Sequence, residues 1–429
     1  MLIGFSVGNY KSFKDTVTFT MVASAIASED KRLDENNVFR IDAQLSLLKS
    51  AAIYGANASG KSNLVAAINF MKSFVLNSSK EGQISEPIDV DRFRLSTQTE
   101  KEPSFFEIVF RLDGKIYRYG FEVDTEQVIS EWLFYKQKTR EVKLFERELD
   151  TFSKLTDTFK EGKGVTDKTR NNALFLSVVA QFNGKIAQKI LVWFNGLNLI
   201  SGLNDLGYRT YTIRSFENNQ HKDDILGFVK KLDLGIEDIQ IEKTPINEVL
   251  LPNILPEEFR NLIRSHEIDV KAIKTLHRKY NDEEQPISNE IFDLNDNESE
   301  GTKKLFSLAG PLLDTLKAGK ILLIDELDAR FHPLITCAII SLFNSKETNP
   351  NNAQLIFTTH DTNLLSNKLF RKDQIWFTEK YRQGATHLYS LVEYKISKDA
   401  SLEKDYIRGK YGAIPFIGDL SRLIGEINE

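Results

Sequence analysis

Apolar and polar positions alternate in several distinct rhythms along this chain. Residues 2–8 (LIGFSVG) and 16–22 (TVTFTMV) predict two short strands, joined by a turn that carries Asn9, Lys11, Ser12 and Lys14. The apolar run SAAIY, ending at Gly55, predicts a buried strand. Leu64, Ala67, Ile68 and Met71 then recur at helical spacing, which predicts a helix over 64–76. From Ser104 to Phe145 the alternation is strand-like. FFEIVFRL and IYRYGFEV flank an Asp-Gly pair at 113–114, a strong hairpin signal. Residues from about 170 to 290 are charge-rich with few strand signals and predict a largely helical region. They hold no sustained heptads and no repeat of fixed period, which argues against a long coiled coil or a solenoid.

The pattern sharpens again after Thr302. Leu305, Leu308, Ala309, Leu312, Leu313 and Leu316 share one helical face, interrupted by Gly310-Pro311, where a kink is expected. KILLIDE predicts a buried strand, HPLITCAIISLF a helix, and AQLIFTTHD another buried strand. Strands alternating with helices in this way predict a largely parallel α/β sheet. The tail from about 395 is polar and includes YGAIPFIG, to which no role attaches.

Composition narrows the class. In 429 residues, 41% are hydrophobic and 27% charged, which is globular rather than disordered. The 56 basic against 61 acidic residues give a net charge of -5, so DNA binding is possible but unsupported by charge. Cys337 is the one cysteine, which excludes an internal disulfide and a four-cysteine zinc site. No apolar run approaches the roughly 20 residues of a membrane span, and MLIGFSVGNYKSFKD lacks the layout of a signal peptide. A cytoplasmic protein without a membrane partner is the expectation.

Three motifs carry chemistry. Residues 55–62 read GANASGKS, the full G-x-x-x-x-G-K-[ST] pattern between a strand and a helix. Glycines let the backbone curl so that N–H groups face phosphate oxygens. Gly55, Asn57, Ala58, Ser59, Gly60, Lys61, Ser62 and Asn63 form the candidate cradle. Lys61 supplies charge to the phosphates and the Ser62 hydroxyl suits Mg²⁺, so ATP and Mg²⁺ are the expected cofactors. Asp325 and Glu326 end a buried strand, where ligand sites in parallel sheets lie. Asp325 suits a metal partner and Glu326 a base that activates water. The bland alternative is a pair of helix-start carboxylates. His360 follows a further buried strand and fits a γ-phosphate sensor, against a capping role.

In their order these motifs resemble the ABC/SMC-like ATPases: P-loop, long insertion, Ser-Glu-Gly-Thr, LLIDELDARFHP, then TTHD. The likeness is to the compact bacterial group related to the OLD and RecF ATPases, whose opening FSVGNYKSF is also similar. Within it the chain most looks like ATPase subunits of phage-defence systems of the PARIS and RloA kind. The resemblance implies an α/β fold, an ABC-type P-loop head with antiparallel β-hairpins and a largely helical insertion. It divides the chain into ATPase lobes at 1–150 and 296–395, an insertion at 151–295 for dimerisation or partner readout, and a tail at 396–429. It casts Ser299 and Gly301 as a signature loop that reaches a partner copy's γ-phosphate, where the residues alone read as a helix N-cap. Glu300 and Thr302 depart from the transporter-type loop. Ala329 to His332 matches a D-loop, with His332 in place of Asp, although His332-Pro333 also reads as a helix start. Gln181 is the candidate for a further Mg²⁺ ligand, and Lys11 and Ser12 could approach the nucleotide.

The resemblance therefore implies a Mg-dependent ATPase whose copies sandwich ATP, as a homo-oligomer. Only 69 residues follow His360 (429 − 360), too few for a Toprim nuclease, so effector chemistry is expected in a separate protein. Asp89-Val90-Asp91 and the basic run 136–147 both read most simply as solvated surface. The alternative function is a RecF/SMC-like repair ATPase that clamps DNA.

Overall fold

The computed structural model describes residues 1–28, 30–81, 83, 86–137, 140–153, 155–219, 221–232, 235–245, 269–366, 368–397 and 400–415. In chain order the first elements are β1 (Leu2–Gly8), β2 (Val17–Thr20), α1 (Lys31–Asn36), β3 (Val38–Arg40), β4 (Ser46–Leu48), β5 (Ser50–Gly55) and α2 (Lys61–Asn77). Then come β6 (Ser104–Leu112), β7 (Lys115–Val123), β8 (Val128–Gln137), β9 (Arg140–Glu148), β10 (Thr151–Phe152), α3 (Phe175–Gln181), α4 (Lys185–Asn195) and β11 (Leu197–Ser201). The middle holds α5 (Leu206–Glu217), α6 (Lys222–Lys231), β12 (Ile236–Pro245), β13 (Asp269–Tyr280) and β14 (Pro286–Asp293). The last part holds α7 (Glu300–Ala318), β15 (Ile321–Asp325), α8 (Pro333–Asn344), β16 (Gln354–Thr358), α9 (Asn363–Ser366), β17 (Ile375–Lys380), β18 (Thr386–Ser390) and α10 (Leu402–Ile407).

The chain forms two compact units. The first comprises Met1–Leu203, Thr315–Ala329 and Thr336–Glu429. It contains a seven-stranded antiparallel sheet in the order β10-β9-β8-β7-β6-β1-β2, and a six-stranded sheet in the order β11-β15-β16-β5-β17-β18. In the second sheet all neighbours run parallel except the final pair. Strand β5 is buried along its whole length because parallel partners flank it on both edges. The expected hairpin at 113–114 is present: Asp113 (φ 49°) and Gly114 (φ 77°) both take the positive φ of a type I′ turn.

Helix α2 touches strands of both sheets. It buries Leu64, Ala67, Ile68, Met71 and Val75, the face predicted from spacing. Phe70 and Phe74 extend that face, with ring centroids 4.9 Å from Phe106 and 5.5 Å from Phe121. Phe19 on β2 and Trp376 on β17, 5.1 Å apart, join the two sheets directly. A buried Glu131 locks α3 onto the antiparallel sheet: its carboxylate accepts from Tyr119 OH (2.9 Å) and from the N–H groups of Phe175 (2.6 Å) and Leu176 (3.0 Å). Burial pushes this carboxyl above its ordinary range, against the pull of Arg147 3.9 Å away.

The second unit comprises Asn204–Asp314 and Arg330–Ile335. Its core joins Phe216, Ile225, Val229, Ile236, Ile239, Ile273, Leu294, Phe306 and Ala309. Here the expectation of a largely helical stretch from 170 to 290 needs correcting. Helices α3 to α6 lie in the region to residue 231, but β11 interrupts them as an edge strand of the six-stranded sheet, and β12, β13 and β14 form a three-stranded antiparallel sheet. The kink expected at Gly310-Pro311 does not break α7, which continues through Pro311. Residues 416–418 of YGAIPFIG lie outside the described residues.

Candidate functional site

Strand β5 ends at Gly55 and α2 begins at Lys61, so residues 56–60 must turn the chain within a few bonds. Ala58 (φ 61°) and Gly60 (φ 113°) take left-handed backbone to do so. A Cβ at Gly60 would lie 2.3 Å from Thr386 Oγ1, so only glycine fits there. Two threonines of the neighbouring strands hold the loop. Thr378 Oγ1 lies 2.6 Å from Ser59 Oγ, and Thr386 Oγ1 lies 2.8 Å from both Ser59 O and Ser12 Oγ. Asn63 Nδ2 donates to the same Ser12 hydroxyl at 2.6 Å. Ser12 thus meets the start of α2, whereas Lys11 turns to Asp91 at 3.0 Å. That pairing also ties down one end of the Asp89-Val90-Asp91 segment.

Lys61 is buried, and its ammonium donates to Gly55 O (2.8 Å) and Ala56 O (3.1 Å). Burial lowers its pKa, while Asp325, Glu326 and Asp328 pull the other way. Those carboxylates sit at the end of β15 and just beyond it. Thr358, at the end of β16, organises two of them: its hydroxyl donates to Asp325 Oδ1 (2.6 Å) and accepts from the Glu326 N–H (2.8 Å). Glu326 itself has φ 57°, a strained conformation for a residue with a side chain. Gly202 permits it. The Gly202 N–H donates to Asp325 O (2.6 Å), and a Cβ there would fall 1.9 Å from Glu326 O. His360 is exposed at the same strand ends, its N–H donating to Asp328 Oδ2 at 3.3 Å. Partial burial and then the Lys61 cation hold its imidazole below the ordinary pKa, against the three nearby carboxylates.

The structure therefore brings Gly55 to Asn63, Asp325, Glu326 and His360 to one end of one sheet. Ser62 is exposed in the first turn of α2, and Asn57 and Ala58 are exposed in the loop. This donor set fits a polyphosphate with a divalent cation: glycine-lined backbone, an ammonium, a hydroxyl and a carboxylate at a helix N-terminus. Gln181 is exposed at the C-terminal end of α3, and no hydrogen bond joins it to residues 55–63 among those described. Ser299 and Gly301 belong to the second unit. Ser299 Oγ accepts from the Thr302 N–H at 3.1 Å and caps α7, while the residue itself stays exposed. Arg330 pairs with Glu300 at 3.1 Å beside it. In the expected D-loop, Pro333 is the first residue of α8, and the exposed His332 accepts from the Leu334 N–H (3.3 Å). Within the basic run 136–147, Glu141 pairs with Arg118 of β7 and Lys143 pairs with Glu146.

Thr358, Thr378, Thr386 and Gly202 were not singled out from the sequence. Only the sheet order places them beside the motifs. The one local signal is the TT of TTHD.

Known proteins bear on this geometry. The family model described as "AAA domain, putative AbiEii toxin, Type IV TA system" matches residues 50–366. No curated protein matches the chain. Among solved structures it is similar to the SMC head domain from Thermotoga maritima, at 13% identity over 92% of this chain and 99% of that one, with a TM-score of 0.40. It is also similar to the Smc head domain from Pyrococcus furiosus (14%, 96% and 98%, TM-score 0.40) and to the recombination mediator protein RecF with ATP (13%, 91% and 99%, TM-score 0.32). No described helix is long and apolar enough to cross a membrane.

Proposed function

The chain belongs to this AAA-domain family, and from that premise we propose that it is a Mg-dependent ATPase working as pairs of copies. The observation that carries this reading is the Asp325–Thr358–Glu326 arrangement facing the buried Lys61. Lys61 and the N–H groups of the loop hold the β- and γ-phosphates. Ser62 and Asp325 hold the magnesium ion, which neutralises phosphate charge when bound. Glu326 accepts a proton from water as its oxygen bonds to the γ-phosphorus. The bond from that phosphorus to the bridging oxygen breaks, giving ADP and phosphate. His360, at the same strand ends, hydrogen-bonds the γ-phosphate or the leaving phosphate. Ser299 and Gly301 of a second copy complete the site, so the bound γ-phosphate favours the paired state.

We further assign the chain to antiviral defence, as a sensor or scaffold that controls a separate effector protein. Support for this finer role is the toxin–antitoxin description of the family and the likeness of the motifs to phage-defence ATPases. The test compares wild type with Glu326→Gln. Turnover should fall by on the order of 10²-fold or more with ATP still bound, and the variant should double its mass with Mg-ATP. If both proteins bind ATP, neither hydrolyses it and mass never changes, the reading is wrong.

A further inference from the structure

The loop at 299–301 and residues 330–335 belong to the same compact unit, and they are mated to each other. Arg330 O lies so close to Gly301 that a Cβ there would fall 3.0 Å from it. The Arg330 guanidinium donates to Glu300 at 3.1 Å. Beside it the fully buried Lys304 sets its ammonium 4.4 Å from the centroid of the Phe331 ring. Three contacts thus fix residues 330–331 to the start of α7. Arg330 also has φ 65°, left-handed backbone that costs a residue with a side chain about 1 kcal/mol or more. Strain of that kind gathers where a side chain must be aimed.

The charges of this patch decide what it can meet. Glu300 is exposed and pairs with two cations, Lys303 at 2.9 Å and Arg330 at 3.1 Å. Nearby acids are engaged elsewhere: Asp205 pairs with Arg209 at 2.5 Å, and Glu298 accepts from Thr275 Oγ1 at 2.5 Å. Two cations against one carboxylate leave the patch at +1 (2 − 1). Arg330 is the cation that faces solvent, with 36% of its side chain exposed against 15% for Lys303. An exposed ion pair contributes about 0–1 kcal/mol, so Glu300 can yield Arg330 to a more highly charged anion and keep Lys303. The planar guanidinium matches two oxygens of a phosphate at once.

We propose that Arg330 is a catalytic residue supplied in trans: with Ser299 and Gly301 it enters the site of a second copy and donates to the γ-phosphate of the ATP held there. This rests on the paired-copy reading above. As water attacks the γ-phosphorus, negative charge develops on its oxygens and on the leaving oxygen, and a cation already in place stabilises it. Arg330 itself forms no covalent bond and passes no proton.

The test uses variants of the full chain and their mixtures. Arg330→Gln should lower kcat by about a hundredfold while ATP stays bound to the P-loop of the same chain. Arg330→Lys keeps the charge without the fork and should recover only part of the loss. Lys61→Ala should be inactive because its own loop holds no ATP. Mixed in equal amounts, Lys61→Ala and Arg330→Gln should regain turnover, since the first lends its Arg330 to the ATP held by the second. Glu300→Gln breaks the same ion pair but keeps the guanidinium, so it should retain most of its turnover. A mixture that stays inactive overturns the proposal, as does an Arg330→Gln chain as fast as wild type. So does a loss in Glu300→Gln equal to that in Arg330→Gln, which would make Arg330 a brace for the loop. The mass of Glu326→Gln with Mg-ATP separates these results from a failure of the underlying reading. If that variant pairs and the mixture stays inactive, copies still sandwich ATP and Arg330 alone is misassigned. If it never pairs, both fall together.

Discussion

At the scale of single residues, Thr358 holds the acidic end of the site in register. It spans Asp325 and the backbone of Glu326 with one hydroxyl, while Glu326 is held at φ 57°. Thr358→Val keeps the shape but leaves a carboxylate oxygen and an N–H without their partner, at about 1–3 kcal/mol for the pair. ATP turnover should therefore fall by about tenfold or more, and Thr358→Ser should restore most of it. Equal turnover in Val and Ser variants would remove Thr358 from the mechanism. A second residue governs pH dependence. Lys49 is almost fully buried, its ammonium donating to Ser345 O at 3.2 Å, and burial lowers its pKa to about 8. Below that pH the amine is charged in both states, and the native state bears the desolvation. Above it the native state releases the proton, whereas the unfolded chain keeps it until about 10.5, so Lys49 makes stability rise with pH across that window. Lys49→Met lacks this rise. Its stability relative to wild type should drop by about 1–2 kcal/mol between the two ends of the window, after solvent screening, as read by urea titration. The sequence made the charged groups of the site legible because P-loop and strand-end carboxylates are contiguous motifs. It did not reveal Thr358 as their organiser, since that role arises only when β16 lies beside β15.

At the scale of elements, α7 shows how a helix keeps a proline. Pro311 has no N–H for Ser307 O, one turn earlier. Thr212 of α5 supplies the missing donor: its hydroxyl lies 2.6 Å from Ser307 O and accepts from the Gly310 N–H at 3.1 Å. Gly310 allows the approach, since a Cβ there would fall 2.5 Å from Thr212 Oγ1. This is how α7 continues through Pro311. Thr212→Val should cost about 1–3 kcal/mol by stranding a buried carbonyl. In a Pro311→Ala background the new N–H takes over Ser307 O, so the same substitution should cost less than half as much. A double-mutant cycle by chemical denaturation measures the difference, and additive costs would refute the account. The sheet β12-β13-β14 was misread for a comparable local reason. Ile236 and Ile239 are both buried at a three-residue spacing that imitates a helix, but a register shift between Ile236 and Asp238 produces it. Strand β14 is exposed over most of its length, so it carries no core-facing rhythm to read.

At the scale of the molecule, the P-loop site lies wholly within the first unit, whereas Ser299 and Gly301 lie in the second. The motif order made the P-loop α/β fold legible before any coordinates, because each motif is short and tied to a strand end. The contact between copies rests on the resemblance of the loop at 299–301 alone, so it must be tested through mass action. A ligand that binds only the folded state stabilises it by about 2.7 kcal/mol at a hundredfold excess over Kd, whatever the protein concentration. A ligand clamped between two copies adds a term that grows with protein concentration. For Glu326→Gln with Mg-ATP, the melting midpoint should therefore rise as the protein is concentrated, and without ATP it should stay constant. Lys61→Ala should remove both effects, because the phosphates lose their buried ammonium. Adding Ser299→Arg to Glu326→Gln should separate them. A bulky side chain at this exposed cap leaves the P-loop of the same chain intact, so ATP still raises the midpoint, while its dependence on protein concentration disappears. If the dependence survives Ser299→Arg, the copies meet through some other surface, and the loop at 299–301 is no more than the cap of α7.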